Sequence, residues 1–378
     1  MRILHLAYED PHQPGSGGGS VRTREINRRL AGRHEITALS AGYPGARARE
    51  EWGVRWVPLG GRGGVKGARL AYFALLAPEV ARRRYDLVVE DFGAPFSVGF
   101  SPLFTRKPVV ASVQWLFAAQ MREKYRLPFD LIERQGLRCY RDFIAVSDWL
   151  ARDLRAARPG AVVETIPNGV EAAAFATIAG PPRHLLFVGR LDIAQKGLDL
   201  LLEAFARARE GLGTRTPQLL IIGDGPDRAA LARLAERLRL DDSVEFRGRV
   251  EGGDKYRLMA SAHAVLMPSR FETFGMVAIE AQAAGAPVVA FDVGPLAEVA
   301  AGGGACLVPA FDCDTFAREI IGLVLDSARS ERLRRAGRLW ATRYDWDRIA
   351  TAQEEHYRRA VLRGRRSGAG GYRLTPPA

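Results

Sequence analysis

The chain has 378 residues, more than the roughly 150 to 200 usual for one domain, so two domains are expected. Hydrophobic residues make up 47% and charged residues 26%, a globular balance that excludes wholesale disorder. No apolar run approaches the roughly 18 residues needed to span a bilayer, and the opening Met1–Ala7 is too short for a signal-peptide core, so a soluble, cytoplasmic protein is expected.

The net charge of +12 is unevenly spread: residues 1–180 hold 26 Lys and Arg against 18 Asp and Glu, residues 181–362 hold 25 of each, and residues 363–378 hold four Arg and no acid. A basic first half suits an anionic partner, whether membrane surface, phosphorylated acceptor or nucleic acid; solvated arginines on helix faces would leave the same excess. Cys139, Cys306 and Cys313 have neither the number nor the spacing of a disulfide framework or a zinc site, and read as small buried hydrophobes.

In chain order, the first half predicts strands at Arg2–Ala7, Glu35–Ser40, Val54–Leu59, Asp86–Glu90, Pro108–Val113, Asp142–Ser147 and Val162–Ile166, with helices including Val21–Ala31 and Arg69–Arg83. After Pro181 the pattern restarts. Strands are predicted at His184–Gly189, Gln218–Gly223, Ser243–Arg247, Ala264–Met267 and Pro287–Phe291. Between them fall helices Leu198–Arg209, Arg228–Leu238, Asp254–Ala262 and Met276–Ala284. The first of these is marked by Leu198, Leu201, Leu202, Phe205 and Ala208 at helical spacing. Three more helices follow, Thr315–Asp326, Glu331–Tyr344 and Asp347–Val361. From Arg363 onward Gly, Arg, Ser and Pro dominate, which predicts a disordered basic tail.

Alternating strands and helices imply α/β architecture with parallel sheets covered on both faces. Two such series predict Rossmann-like domains at 1–178 and 179–346, then a helix at 347–362 and the tail at 363–378. Ligands in such sheets bind beyond the carboxyl ends of the strands, so a cleft between the domains is the expected site.

Three clusters lie at strand ends. Gly15-Ser16-Gly17-Gly18-Gly19-Ser20 precedes a helix whose amides suit a phosphate, but Ser20 breaks the dinucleotide fingerprint and no P-loop occurs anywhere. Gly189-Arg190 and Lys196-Gly197 place two cations after the first strand of the second series, where they suit a diphosphate as well as a solvated surface. In the third, Glu272 precedes the helix that begins near Gly275, and Glu280 lies on that helix. Two carboxylates so placed can grip two hydroxyl-bearing parts of one ligand, with the amides of Gly275, Met276 and Val277 between them to hold its phosphates. Glu272 could equally be a helix-entry acid pairing with the dipole.

In combination, Gly189-Arg190, Lys196-Gly197, Glu272 and Glu280 with seven residues between, Ala284-Gly285-Ala286-Pro287-Val288-Val289-Ala290, Ile166-Pro167-Asn168-Gly169-Val170 and Arg343-Tyr344-Asp345-Trp346 resemble the retaining glycosyltransferases of family 4. That family includes phosphatidylinositol mannosyltransferases and sucrose- and glycogen-synthase-like enzymes. The resemblance covers about residues 1–362 and implies the GT-B fold, two Rossmann-like domains facing a central cleft, with the last helix crossing back onto the first domain. It further implies that Arg190 and Lys196 bind the donor diphosphate, Glu272 the donor sugar and Glu280 the ribose. Arg249 and Val250 would meet the base, and Phe274, Gly275, Met276 and Val277 would line the donor, with Gly17, Gly18 and Gly19 closing over its phosphates. Gln114 stands where many members carry a His on the acceptor side; its amide can orient a hydroxyl but cannot act as a base near neutrality.

The reading is a retaining transfer of a sugar from a nucleoside diphosphate donor to a hydroxyl acceptor (glycan, lipid-linked or small molecule). No cofactor or metal is expected: the six histidines are scattered, and Asp312-Cys313-Asp314 fits a helix start better than a metal site. Arg122, Lys124 and Arg126 interleaved with Trp115, Leu116, Phe117, Met121, Tyr125, Leu127 and Phe129 suggest a peripheral contact with an anionic membrane at its inner face, or core packing. Nucleic acid is not an expected partner. Rival readings are a sugar-nucleotide epimerase on the same architecture, a nicotinamide dehydrogenase, and a module that binds nucleic acid or membrane without turnover.

Overall fold

The computed structural model describes residues 1–366 except 62–64, 93–97, 117, 119–121, 123–125 and 127. The chain divides into two compact units: Met1–Asn168 together with the residues from Trp346 onward, and Gly169–Asp345.

Among the described residues the first unit holds an eight-stranded sheet. Its strands are β1 (Arg2–Tyr8), β2 (Glu35–Ala41), β3 (Arg49–Glu51), β4 (Val54–Leu59), β5 (Leu87–Phe92), β6 (Val109–Val113), β7 (Asp142–Ala145) and β8 (Val162–Thr165), in the order β3-β4-β2-β1-β5-β6-β7-β8. All neighbours run parallel except β3, which pairs antiparallel with β4. The apolar runs at β1, β5 and β6 are buried along nearly their whole length, as strands covered on both faces must be. Helix Gly18–Leu30 and the final helix Trp346–Arg366 share one core, with Ile26 and Leu30 packed among Trp346, Ile349, Ala350 and Tyr357. Polar pairs lock the same face. Arg33 and His34 both bond Glu354, and buried Arg22 donates to the Pro167 carbonyl, Asn168 and Gln353.

The second unit is a six-stranded, fully parallel sheet of β9 (His184–Val188), β10 (Gln218–Ile222), β11 (Val244–Gly248), β12 (Ala262–Met267), β13 (Val288–Phe291) and β14 (Ala305–Val308), ordered β11-β10-β9-β12-β13-β14. The helix predicted from its apolar spacing runs Leu198–Leu212, and all five of its marker residues are buried. They pack with Leu185, Phe187, Leu219 and Ile221 of the sheet and Phe316 and Ile320 of helix Cys313–Leu325.

Several boundaries depart from expectation for visible reasons. The units part between Asn168 and Gly169 rather than at 178/179. Val170 bonds the Tyr344 carbonyl and bridges to Asp345, and Arg338 holds the carbonyls of Phe175 and Thr177, so residues 169–178 belong with the second sheet. The last helix begins at Trp346 and continues to Arg366, so Arg363–Arg366 are helical rather than tail. Arg363 pairs with Asp142, and Gly364 lies so close to Pro108 that a Cβ would approach within 2.8 Å. The rest of the expected tail lies outside the described residues. Of the three cysteines, Cys313 is buried as expected, while Cys139 and Cys306 are only partly so.

Candidate functional site

In the second sheet the strand order reverses between β9 and β12, neighbours from which the remaining strands extend to opposite sides. Loops leaving the carboxyl ends of such a pair diverge and open a crevice for ligands. The loop after β9 carries Arg190 and Lys196, and the loop after β12 carries Glu272.

Lys196 ends a one-turn helix, Ile193–Lys196, which Asp192 opens by accepting from the Gln195 amide at 3.0 Å. Gly197 turns the chain with φ +61°, and a Cβ there would sit 2.1 Å from the Pro268 carbonyl oxygen, so only glycine lets the two loops touch. From this turn the Lys196 ammonium donates to Glu272 Oε1 at 2.5 Å, and Ser269 Oγ donates to the same oxygen at 2.8 Å. Glu272 is buried and Lys196 mostly so, which makes this a largely desolvated, charge-assisted contact between residues far apart in sequence. Arg190 stands exposed just beyond β9. Its loop is shaped by Gly223 and Gly225, where a Cβ would lie 1.8 Å from the Gly189 oxygen and 2.4 Å from the Leu191 oxygen.

Helix Met276–Ala284 begins after Gly275, whose φ is +94° and where a Cβ would lie 2.5 Å from Leu296 Cδ2. Its first-turn amides, Met276 and Val277 among them, have no partner within the helix. Phe274 is buried, edge-on to Tyr344 at 6.0 Å. Glu280, mostly buried on this helix, accepts from Lys255 at 2.9 Å. Burial pushes its carboxyl up, Lys255 opposes the rise, and nearby Glu171 adds to it. Arg249 and Val250 follow β11, two strands from β9; Arg249 is exposed and pairs with Glu251 at 2.5 Å. The second unit therefore brings Lys196 directly onto Glu272 and adds partners that sequence reading missed: Ser269, Lys255, Gly223 and Gly225. Only the last two left a trace, the run Gly223-Asp224-Gly225-Pro226.

In the first unit the reversal falls between β1 and β5. The glycine run after β1 is a loop only as far as Gly17, because the helix starts at Gly18 instead of Val21. Ser20 and Thr23 hydroxyls fold back onto the carbonyls of Gly17 and Gly19 and close the first turn, and the Gly17 amide donates to Glu9 at 3.2 Å. Gln114 follows β6; its Oε1 accepts from Asn168 at 3.3 Å, while its buried Nε2 finds no partner among the described residues. Asp91 in β5, held by His5 at 3.1 Å and Thr23 at 2.7 Å, was not foreseen. In the basic-aromatic segment, Phe117, Met121, Lys124, Tyr125 and Leu127 lie outside the described residues. Trp115 and Leu116 are partly buried, and exposed Arg122 pairs with Asp130 at 2.8 Å. Among the described residues no helix is long and apolar enough to cross a membrane.

Among the described residues no three His, Cys, Asp or Glu side chains gather where they could hold a metal ion. Asp312 caps helix Cys313–Leu325 by accepting from the Thr315 amide at 3.0 Å, and Asp314 pairs with Arg207.

Residues 16–174 match the family model described as Glycosyltransferase Family 4, and residues 182–326 match that of Glycosyl transferases group 1. A phosphatidyl-myo-inositol mannosyltransferase of Mycobacterium leprae is 36% identical over 219 residues, 55% of this chain and 56% of that one. The chain spans about half the length of the relatives it matches. Among solved structures, sucrose-phosphate synthase from Thermosynechococcus elongatus superposes with a TM-score of 0.79 at 22% identity, over 96% of this chain and 99% of that one. Anabaena HepE, solved with UDP and glucose, gives 0.72 at 19% identity over 94% and 98%.

Proposed function

Because the chain belongs to glycosyltransferase family 4 and has the GT-B fold, we propose that it transfers a sugar from a nucleoside diphosphate donor to a hydroxyl acceptor, with retention at the anomeric carbon and without a divalent metal. The observation that carries this reading is the contact of Lys196 with Glu272, which sets an ammonium beside a carboxylate at the point where the second sheet reverses. A departing nucleoside diphosphate develops negative charge that must be met by cations or oriented dipoles. Lys196, Arg190 and the first-turn amides of helix Met276–Ala284 supply both in this reading. Glu272 accepts from the donor sugar's hydroxyls, Glu280 with Lys255 holds the ribose, and Arg249 and Val250 contact the base.

The acceptor falls to the first unit, where Gln114 is the acceptor-side residue; Gly17, Gly18 and Gly19 belong in this reading to the donor's phosphates. The basic excess of that unit supports peripheral contact with an anionic membrane, together with exposed Leu70, Leu75, Leu103 and Phe104. Greater flotation with anionic than with neutral vesicles is the expected result. The donor reading is tested by screening UDP-, GDP- and ADP-sugars for protection against thermal unfolding. One of them is expected to raise the midpoint of the second unit, and no shift with any would end the reading.

A further inference from the structure

We propose that Arg270 is a positioning residue that aims Lys196 at the donor diphosphate by locking the loop after β9 against the loop after β12; this rests on the donor reading above. A lysine has a flexible four-carbon stem, so where its ammonium stands depends on how firmly its root is held. Arg270 holds that root at three points. Its main-chain N–H donates to the Gln195 carbonyl at 2.9 Å. Its Nη1 donates to the Ile193 carbonyl at 2.8 Å, and Nη1 and Nη2 donate at 2.7 Å each to the two oxygens of Asp199 in the first turn of helix Leu198–Leu212. The points held lie three and one residues before Lys196 and three after it. Gly197 packs into the same junction, its absent Cβ 3.4 Å from Arg270 Nη1.

The other end of this brace is the site itself, because Arg270 stands two residues before Glu272 and next to Ser269, both in contact around Glu272 Oε1. One planar fork thus fixes the separation of the two loops whose side chains meet at 2.5 Å. Its charge is matched by Asp199. Burial alone would raise the Asp199 carboxyl, but the hydrogen bonds and charge of Arg270 hold it below the usual range. Arg270 therefore adds little free positive potential of its own, and its contribution is geometric. A lysine at this position could keep the charge but not the two-toothed contact together with the bond to Ile193.

The test uses the full chain, with UDP, GDP and ADP titrated calorimetrically and the tightest binder taken forward. Arg270→Ala and Arg270→Lys should each weaken that diphosphate on the order of tenfold, the scale expected for removing one charge-assisted hydrogen bond, while the matching nucleoside binds as before. Combined with Lys196→Ala, Arg270→Ala should cost nothing further, since it acts through Lys196. A purely stabilising role would instead leave the diphosphate affinity of the folded variants unchanged or make the two effects additive, and either result overturns the proposal. Should Arg270→Ala not fold, Arg270→Lys decides alone. If the parent chain binds none of the three diphosphates, the donor reading falls and takes this proposal with it; if the parent binds and the Arg270 variants match it, only the positioning role falls.

Discussion

Lys196 and Glu272 pair across 2.5 Å, so changing either leaves the other's mostly buried charge without this partner as well as removing a hydrogen bond. Lys196→Ala should cost about 2 to 4 kcal/mol of transition-state stabilisation, the range for losing one preorganised donor. Glu272→Gln should depress transfer strongly with the fold intact, whereas Glu331→Gln, on an exposed helix face opposite Arg335, should do little. If side-chain cations and amides carry the leaving group's charge, excess EDTA leaves the rate unchanged; loss on chelation, restored by Mg²⁺ or Mn²⁺, would assign that role to a metal. The places of Arg190, Lys196 and Glu272 were legible because strand-end loops are where an α/β sheet binds ligands, while the roles proposed for them came only with the family resemblance. Their supports were not. Arg270, Asp199 and Lys255 look in sequence like any solvated charge, and nothing local tells that Arg22 and Arg334 are buried among carbonyl and amide acceptors.

Helix Met276–Ala284 owes its starting point to one glycine. Gly275→Ala must place a side chain at φ +94° and 2.5 Å from Leu296 Cδ2, and the left-handed conformation alone costs roughly 1–2 kcal/mol. The expected outcome is a lower unfolding midpoint for the second unit and weaker nucleoside diphosphate binding, because the helix's first-turn amides move with the turn. Thermal unfolding and calorimetry check the two effects separately, and parent-like values in both would show that the turn yields. The same helix was legible from Met276 to Ala284, as were the apolar strands, because burial on both faces leaves an unbroken hydrophobic run. Elements without that signal escaped. Strand β3 is Arg49-Glu50-Glu51, held at the sheet edge by pairing with β4, and its Arg49 reaches buried Asp10 through two 2.8 Å bonds. Helix Phe129–Cys139 is amphipathic but begins only at the last residue of the basic-aromatic segment, and no helix was predicted there. The last helix outruns its apolar period because Arg363 finds Asp142, a partner 221 positions away that no local window contains.

Over the whole molecule, buried acids and bases oppose one another as pH falls. Burial holds His34, His184, His263 and His356 below their ordinary 6.5, and it raises the carboxyls of Glu90, Glu280 and Glu133, the last to about 7. A histidine with a lowered folded pKa binds fewer protons folded than unfolded, so its contribution is present above pH 6.5 and is lost as pH falls from there toward the folded value. A carboxyl with a raised folded pKa does the reverse: it costs stability at neutral pH and gives that back as pH falls toward 4.5. Between about pH 4.5 and 6.5 the two sets offset each other, and removing one histidine tips the balance. His356 is fully buried in the first unit with neither ring nitrogen hydrogen-bonded among the described residues; its Nδ1 lies 3.7 Å from Glu164, which keeps Arg359 as a partner at 3.1 Å when an apolar side chain of similar size replaces the ring. His356→Leu should therefore gain stability relative to the parent as pH drops from 7.5 to 5.5, by at most about 1.4 kcal/mol per pH unit below 6.5. Urea unfolding of the first unit at pH 7.5, 6.5 and 5.5 measures this, and a difference between variant and parent that stays constant across the three would mean that His356 titrates alike in the folded and unfolded chain.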